Sequence, residues 1–471
     1  MNQNTALQKQ IGFWSATALV VGSIIGSGVF MKPSSMAAQL GSPVWLTLVW
    51  IIAGLFSLFG ALIFAELGGI MPKTGGIYVY FRQMFGEAVA FLFGWSAFAV
   101  INTASVAAIS FVCAQYADYF LQLPRFDEAT ELSVVWHLPF IGDLYPLKNF
   151  GVKSLAVSII LLITIINYLS VKTSSGLQVV ATFIKVVVLA ALVFGIFFSG
   201  NGSFDHFMEA RDPKEGWSLK SGIVAAMTGA FFAYDGWTNV TYVAGEIKQP
   251  QKNVPRSLWI GVVCCILVYV LVNQAYLYAL PVEKIATSSL VAADAIENAL
   301  GKTGVAIVAA MIVISAFGSI NGNLMAPARV TYAMGKDRIF FSWAGKENRF
   351  KLPGNALLLH ALWTSIFILT GSFDMLADMF VFVTWIAYGL GAVGVIILRK
   401  REPEVPRPYK IWGYPFVPIL FIAFSAFYLG FTLYNDISNY LGGRQPVINS
   451  LLGLAIILLG LPLYIYFKRR K

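Results

Sequence analysis

Cysteine, histidine and charge are all scarce in this chain of 471 residues, and each shortage excludes something. The three cysteines, Cys113, Cys264 and Cys265, lie in apolar runs. Sequence neighbours do not readily bridge, so no disulfide framework is expected and the three read as packing residues. The three histidines, His137, His206 and His360, fall in connections or at the edge of an apolar run. With no HExxH, no paired intramembrane aspartates and no serine-histidine set, the chain offers no enzyme inventory. It also lacks nucleotide and metal motifs, so its work cannot draw directly on ATP, and no cofactor is expected. A channel is disfavoured by the absence of a pore-lining repeat or ring of charge. Charged residues make up 12% of the chain, about half the share of an average soluble domain.

Apolar residues fill the space: 58% of the sequence, with 15% aromatic. Runs of about 18 residues or more, each able to cross a ~30 Å hydrocarbon core, recur along the whole length. We place twelve spans at 11–38, 45–70, 84–121, 151–169, 178–200, 219–244, 257–280, 303–334, 355–371, 374–398, 415–435 and 448–467. The first follows "MNQNTALQKQ" and is too long and glycine-broken for a cleavable signal peptide, so it is expected to remain as a structural helix. Basic runs at 335–351 ("GKDRIFFSWAGKENRFK"), 399–410 ("RKREPEVPRPYK") and the terminal "KRRK" fix orientation. With an even number of spans, both termini are expected in the cytoplasm of a multi-pass cell-membrane protein. The net charge of +10 is then a topology signal, and no nucleic-acid partner is expected beyond the lipid bilayer itself.

The first span carries "GSIIGSGVFMKPSSMA" (22–37), with Gly22, Gly26 and Gly28 at membrane depth. Glycine costs about 1 kcal/mol against alanine in a helix interior. Gly22 and Gly26 also fit close helix packing through small residues. An unwound turn, by contrast, survives in a bilayer only where protein or a polar cavity surrounds it. Its freed N–H groups, at the start of the next half-helix, suit an anion such as a carboxylate. The sixth span decides between these readings, because "MTGAFFAYDGWTNVTYVAGEIKQPQKNVPRS" (227–257) breaks in the same manner, with Gly229 and Gly236 around aromatics and one acid, Asp235. Two interrupted segments at corresponding places point to a transporter built from inverted repeats. The division expected is 1–200 for the first repeat, 201–400 for the second, and 401–471 for the last two spans and C-terminus.

"GSIIGSGVF", "PKTGGIYVYFRQMFG" (72–86), "FFAYDGWTNVTYVAGEIKQPQKNVPRS" and "EPEVPRPYKIWGYP" (402–415) resemble the amino acid-polyamine-organocation superfamily, over essentially all twelve spans. Within it the chain is most similar to the L-type amino acid transporters and bacterial serine/threonine exchangers. The resemblance implies an all-α fold of 5+5 inverted repeats with broken first and sixth helices, and secondary transport of neutral L-amino acids by alternating access. A sodium-independent exchanger is the expected form. Proton-coupled symport, or transport of cationic amino acids or polyamines, is the alternative, and a non-transporting sensor would keep the same site.

By the same resemblance, Gly26, Ser27 and Gly28 would hold the substrate carboxylate. Carbonyls of Ile24, Phe232 and Asp235 would take its ammonium, with Ile25, Ala233 and Gly236 completing the lining. Phe232 resembles an aromatic gate, against the plain reading of a packing aromatic. Asp235 costs at least ~2.5 kcal/mol at a helix centre. Its readings are a structural or gating pair with a tyrosine hydroxyl, direct ammonium contact, or proton carriage, and L-type members often have glycine there. Lys185, in "VVATFIKVVVLAALVF", either snorkels or, as the resemblance implies, replaces a sodium ion and ties the fifth helix to carbonyls near Gly22 to Ile25. L-type light chains join a glycoprotein through a cysteine after the third span. The corresponding stretch 123–149 has none, so no disulfide-linked heavy chain is expected.

Other polar positions say less. Asn102, Thr103, Ser105, Ser315, Ser319 and Asn321 either line a cavity or join helices. Glu66 and Arg82, either side of "GGIMPKTGG", read as a solvated pair or a gate.

Overall fold

Leucine-, valine- and phenylalanine-rich runs leave the backbone no hydrogen-bonding solvent, so helix is the only local solution. The computed structural model of the protein describes residues 11–72, 75–169, 171–213 and 217–469. The first ten residues, part of the "PKTGG" and "DPKEG" connections and the last two residues of "KRRK" lie outside the described residues.

The order is α1 (Phe13–Ile24), α2 (Gly28–Leu40), α3 (Pro43–Ile70), α4 (Gly76–Phe85), α5 (Glu87–Ser96), a π-turn (Ala97–Asn102), α6 (Thr103–Leu121) and the short α7 (Glu128–Glu131). A two-stranded antiparallel hairpin, β1 (Trp136–Leu138) and β2 (Gly142–Leu144), precedes α8 (Phe150–Leu169) and α9 (Val171–Ser199). Then come α10 (Leu219–Tyr234), α11 (Asn239–Tyr242), α12 (Pro250–Ala279), α13 (Val282–Thr287), α14 (Val291–Lys336), α15 (Gly354–Thr370), α16 (Phe373–Arg401), α17 (Phe416–Leu441), α18 (Asn449–Leu458) and α19 (Gly460–Arg469).

Among the described residues, eight helices are long and apolar enough to cross a bilayer, and α1 with α2, bent by 42°, make a ninth. The expected spans at 178–200, 219–244 and 355–371 fall on the shorter apolar helices Phe183–Ser199, Leu219–Tyr234 and Gly354–Thr370. Several span boundaries differ from expectation, the seventh starting at Pro250 and the eleventh ending at Leu441, and two of the differences bear on the site's surroundings. The third begins at Glu87, because Gly86 takes φ 87° and separates it from α4. The sixth stops at Tyr234 and is not helical to 244.

Helix starts follow their local chemistry. Ser42 accepts from the Trp45 N–H ahead of α3, with Pro43 at the first position, and Ser372 accepts from Met375 ahead of α16. Inside the third span the π-turn shifts the hydrogen-bond register. Thr103 donates back to the Phe98 carbonyl at 3.0 Å, and Trp363 of α15 donates to the Ala99 carbonyl at 2.8 Å. The carbonyl loosened by the π-turn is thus satisfied from a neighbouring helix.

Connections gather on two faces. On the basic face, Ile11 pairs with Ile247 in an isolated parallel bridge, and Asn348 donates to the Tyr168 carbonyl. On the opposite face, Arg211 N–H donates to Gly41 O, Asp143 N–H to Pro446 O and Lys153 Nζ to Leu369 O. Between the faces, α2 lies along α10, and α3 along α12.

Candidate functional site: two broken helices in contact

Helix α1 stops at Ile24, Ile25 turns extended (φ −65°, ψ 99°), and α2 begins at Gly28. Helix α10 stops at Tyr234, Asp235 is extended (φ −67°, ψ 161°), and Gly236 takes φ 109° before the chain recovers helix at Asn239. A side chain at Gly236 would be strained by that φ. It would also stand 2.5 Å from the Ser23 carbonyl oxygen, and a Cβ on Gly28 would stand 2.6 Å from the Ala233 Cα. Each break therefore rests on the other through a glycine.

Around this junction the polar groups are unevenly satisfied. Ser27 holds the N-cap position of α2, yet its hydroxyl makes no cap bond and is buried without a partner. Beside it, a Cβ on Gly26 would meet only the Ile24 carbonyl, at 3.6 Å. The start of a helix, an unsatisfied hydroxyl and free space beside a glycine together favour a small anion. The carbonyl side is partly occupied: the Tyr269 hydroxyl of α12 lies 2.8 Å from Ile24 O and 3.0 Å from Ala233 O, one proton shared by both broken helices.

Lys185, 4% exposed, donates to the Gly22 carbonyl at 3.2 Å, within the last turn of α1. The Asp235 carboxylate accepts from the Tyr388 hydroxyl of α16 at 2.5 Å. Phe232 is buried, edge-on to Phe373 and Phe380 of α16. Ile24, Ile25, Ser27, Phe232 and Ala233 are all nearly inaccessible, whereas Gly26 and Asp235 are partly exposed.

Sequence reading missed the ionic contacts that flank this junction. Lys32 of α2 is buried with its ammonium 2.7 Å from Asp374 and 3.3 Å from Asp378, and 5.9 Å from the Phe232 ring. Two acids four apart at the start of α16 were the available signal. Tyr269 offered none, being one tyrosine among many. Glu66 does not pair with Arg82. It is fully buried and receives Arg399 through two bonds, 2.8 and 2.5 Å, with the Ile411 N–H and Arg407 beside it, whereas Arg82 pairs with Glu87 at the surface. A lone acid at a helix end cannot be buried unpaired, and its partners came from far along the chain.

Three of the remaining polar candidates have side-chain bonds within or between helices. Thr103 and Ser319 bond back to their own helix, and Asn321 accepts from Asn167 of α8 at 2.8 Å. Cys113 and Cys265 are buried, but Cys264 is exposed on α12 and is not a packing residue. His137 contacts Asp143, His206 the Tyr278 carbonyl and His360 Thr331.

Residues 11–461 match the amino acid permease family. The chain is 32% identical over 463 residues to the large neutral amino acids transporter small subunit 2 of Mus musculus, covering 98% of this chain and 81% of that protein. It is 30% identical to a serine/threonine exchanger of Bacillus subtilis, covering 100% and 99%. Identity to the b(0,+)-type amino acid transporter 1 of Mus musculus is 30%, with 90% and 82% covered. The resemblance carried by "GSIIGSGVF" and its companion motifs is borne out: the chain belongs to the amino acid permease family, whose members are all-helical, multi-pass membrane transporters and not enzymes.

Proposed function

We propose that this protein is a sodium-independent exchanger of neutral L-amino acids that works by alternating access. One observation carries the reading: two broken helices meet through Gly28–Ala233 and Gly236–Ser23, around a buried, unpartnered Ser27 hydroxyl. A zwitterion supplies what both ends lack. Its carboxylate takes the N–H groups of Gly26, Ser27 and Gly28 and the Ser27 hydroxyl, at the positive end of α2. Its ammonium goes to carbonyls of Ile24, Phe232 and Asp235, in competition with Tyr269 for Ile24. Ile25, Ala233 and Gly236 close the lining.

Lys185 then acts as a fixed cation bracing α1, in the place where an ion would otherwise be needed. The Tyr388 bond gives Asp235 a structural or gating role, holding the α10 break to α16. Phe232 is the lid. The repeats run 1–200 and 201–400 with twelve spans in all, both termini in the cytoplasm and the basic face inward. Residues 401–471 lie outside the repeats. No disulfide-linked subunit is required, since no cysteine lies in 122–150. The second reading is proton symport. It is favoured by one feature: Lys185 bonds a carbonyl and Asp235 a hydroxyl, so neither of these buried groups is matched there by an opposite charge.

Purified protein in proteoliposomes tests both. Exchange predicts that labelled neutral amino acid enters faster against internal substrate, that replacing sodium by choline changes nothing, and that Lys185→Ala impairs transport. Uptake that rises with sodium would sink the fixed-cation role. Accumulation driven by a pH gradient, lost in Lys185→Ala while exchange survives, would promote symport.

A further inference from the structure

One cavity stands apart from the broken helices. It has a volume of about 370 Å³ and lies on the basic face, walled by α4, the start of α5, the turn after α14 and the end of α19. That volume is within the ~300–1,000 Å³ of small-molecule sites. It is too large to be explained by one trapped water, whose share of liquid is ~30 Å³.

Three span ends meet here. Glu87 opens the span Glu87–Leu121, Asp337 follows the end of Val291–Lys336, and Lys468 is next to last in Asn449–Arg469. The cavity therefore sits where helices leave hydrocarbon, at the depth of lipid head groups. Its lining has two characters. Toward the spans, Phe91 packs against Tyr464 at 5.4 Å and Phe467 at 6.2 Å, giving an apolar wall. Around the mouth stand two cations, Arg82 and Lys468, and two anions, Glu87 and Asp337. Arg82 and Glu87 are 3.4 Å apart but more than half exposed, a loose pair that a ligand can divide.

We propose that this cavity binds the head group of an aminophospholipid, with its phosphodiester on Arg82 and Lys468 and its primary ammonium on Glu87 and Asp337. The balance of two cations and two anions selects a zwitterion. An anionic lipid would set its surplus charge against the two carboxylates. A choline head group has no N–H to give them, and its recognition usually takes a cage of aromatic faces instead. The acyl chains leave along the Phe91 and Phe467 wall into the bilayer. This site is separate from the amino acid site and stands whether or not the exchange reading holds.

The test is thermal unfolding of delipidated protein in detergent, with dioleoyl phosphatidylethanolamine, phosphatidylcholine or phosphatidylglycerol added, paired with native mass spectrometry of retained lipid. Phosphatidylethanolamine is expected to raise the unfolding temperature most and to be retained. In the double variant Arg82→Gln with Asp337→Asn, retention is expected to weaken by at least about tenfold, the worth of one charge-assisted hydrogen bond. Lys468→Gln, at an exposed helix end, gives the same readout if the double variant does not fold. Equal effects of phosphatidylcholine, a preference for phosphatidylglycerol, or no lipid effect would each overturn the proposal. A shift reproduced in full by soluble phosphoethanolamine would overturn the lipid assignment in favour of a free zwitterion.

Discussion

Helix α16 is tied to its neighbours by ions at both ends, and the two ties are built differently. At the basic face Arg399 meets a fully buried Glu66 through two bonds, its guanidinium 3.6 Å over the Tyr414 ring, with Ile411 and Arg407 completing the carboxylate's shell. At the opposite face one lysine ammonium serves two carboxylates, Asp374 with its side chain 60% exposed and Asp378 at 28%. A planar fork on a sealed carboxylate is directional and dry, whereas an ammonium is a rotating point charge that water can replace. The first tie is a fixed joint and the second a release catch. The catch reaches α2, the half-helix that starts at the break, and holds its ammonium 5.9 Å from the Phe232 ring. If the broken helices are to be reached from that face, Lys32 must let go, while the Glu66 end can stay closed.

The comparison can be broken at several points. Glu66→Ala should do the most damage, about 3–5 kcal/mol, because it strands two arginines. Thermal unfolding and yield in detergent report it, and a variant as stable as wild type would contradict the fixed joint. Lys32→Met should cost less, about 1–3 kcal/mol. Its signature is kinetic: half-saturation measured from the catch side should change while that from the basic face does not, and symmetric changes would remove its role as a catch. Asp374→Asn should cost under about 1 kcal/mol, as exposed pairs do, with Asp378→Asn the more severe of the two. The reverse order would mean that the exposed partner carries the contact.

The smallest effect sharpens the joint from its rim. Burial, with Glu66 adding, pushes the Tyr409 hydroxyl in the 402–415 connection up to about 12. Below the ordinary tyrosine value of ~10 it is neutral in folded and unfolded chains alike. Above that value the unfolded chain ionises first, so stability is lost as pH rises from 10 toward 12. Tyr409→Phe should flatten the unfolding-temperature curve over that window, and an unchanged slope would mean that the hydroxyl is not held off ionisation there.

Much of this was legible in sequence because a bilayer penalises exceptions. Gly26, Gly28 and Gly236 stood out in apolar runs, as did Lys185 and Asp235, and those are the places where the helices break or take polar bonds. What could not be read was who meets whom. Lys32 and Asp374 are 342 positions apart, Glu66 and Arg399 333. Nothing local specifies such pairs, so Glu66 was given the nearest base, Arg82. Lys32 was hidden differently, since Pro33, Ser34 and Ser35 beside it look like a helix end. The last two residues of helix α4, Met84 and Phe85, passed for the start of the third span because they run into apolar sequence. Its separation depends on the conformation of one residue, Gly86.

The contact of Gly28 with Ala233 bears on how such a sequence can drift. One partner has no side chain and the other a single methyl, and the space between their backbones leaves no slack for a second Cβ. A larger residue at Gly28 cannot be absorbed by a rotamer change, because the obstacle is main chain and a methyl group. Only Ala233→Gly in the same lineage gives back any volume. Even then the Cα of residue 233 stays 2.6 Å from a Cβ on Gly28, so Gly28 is nearly frozen whatever happens at its partner, 205 positions along the chain.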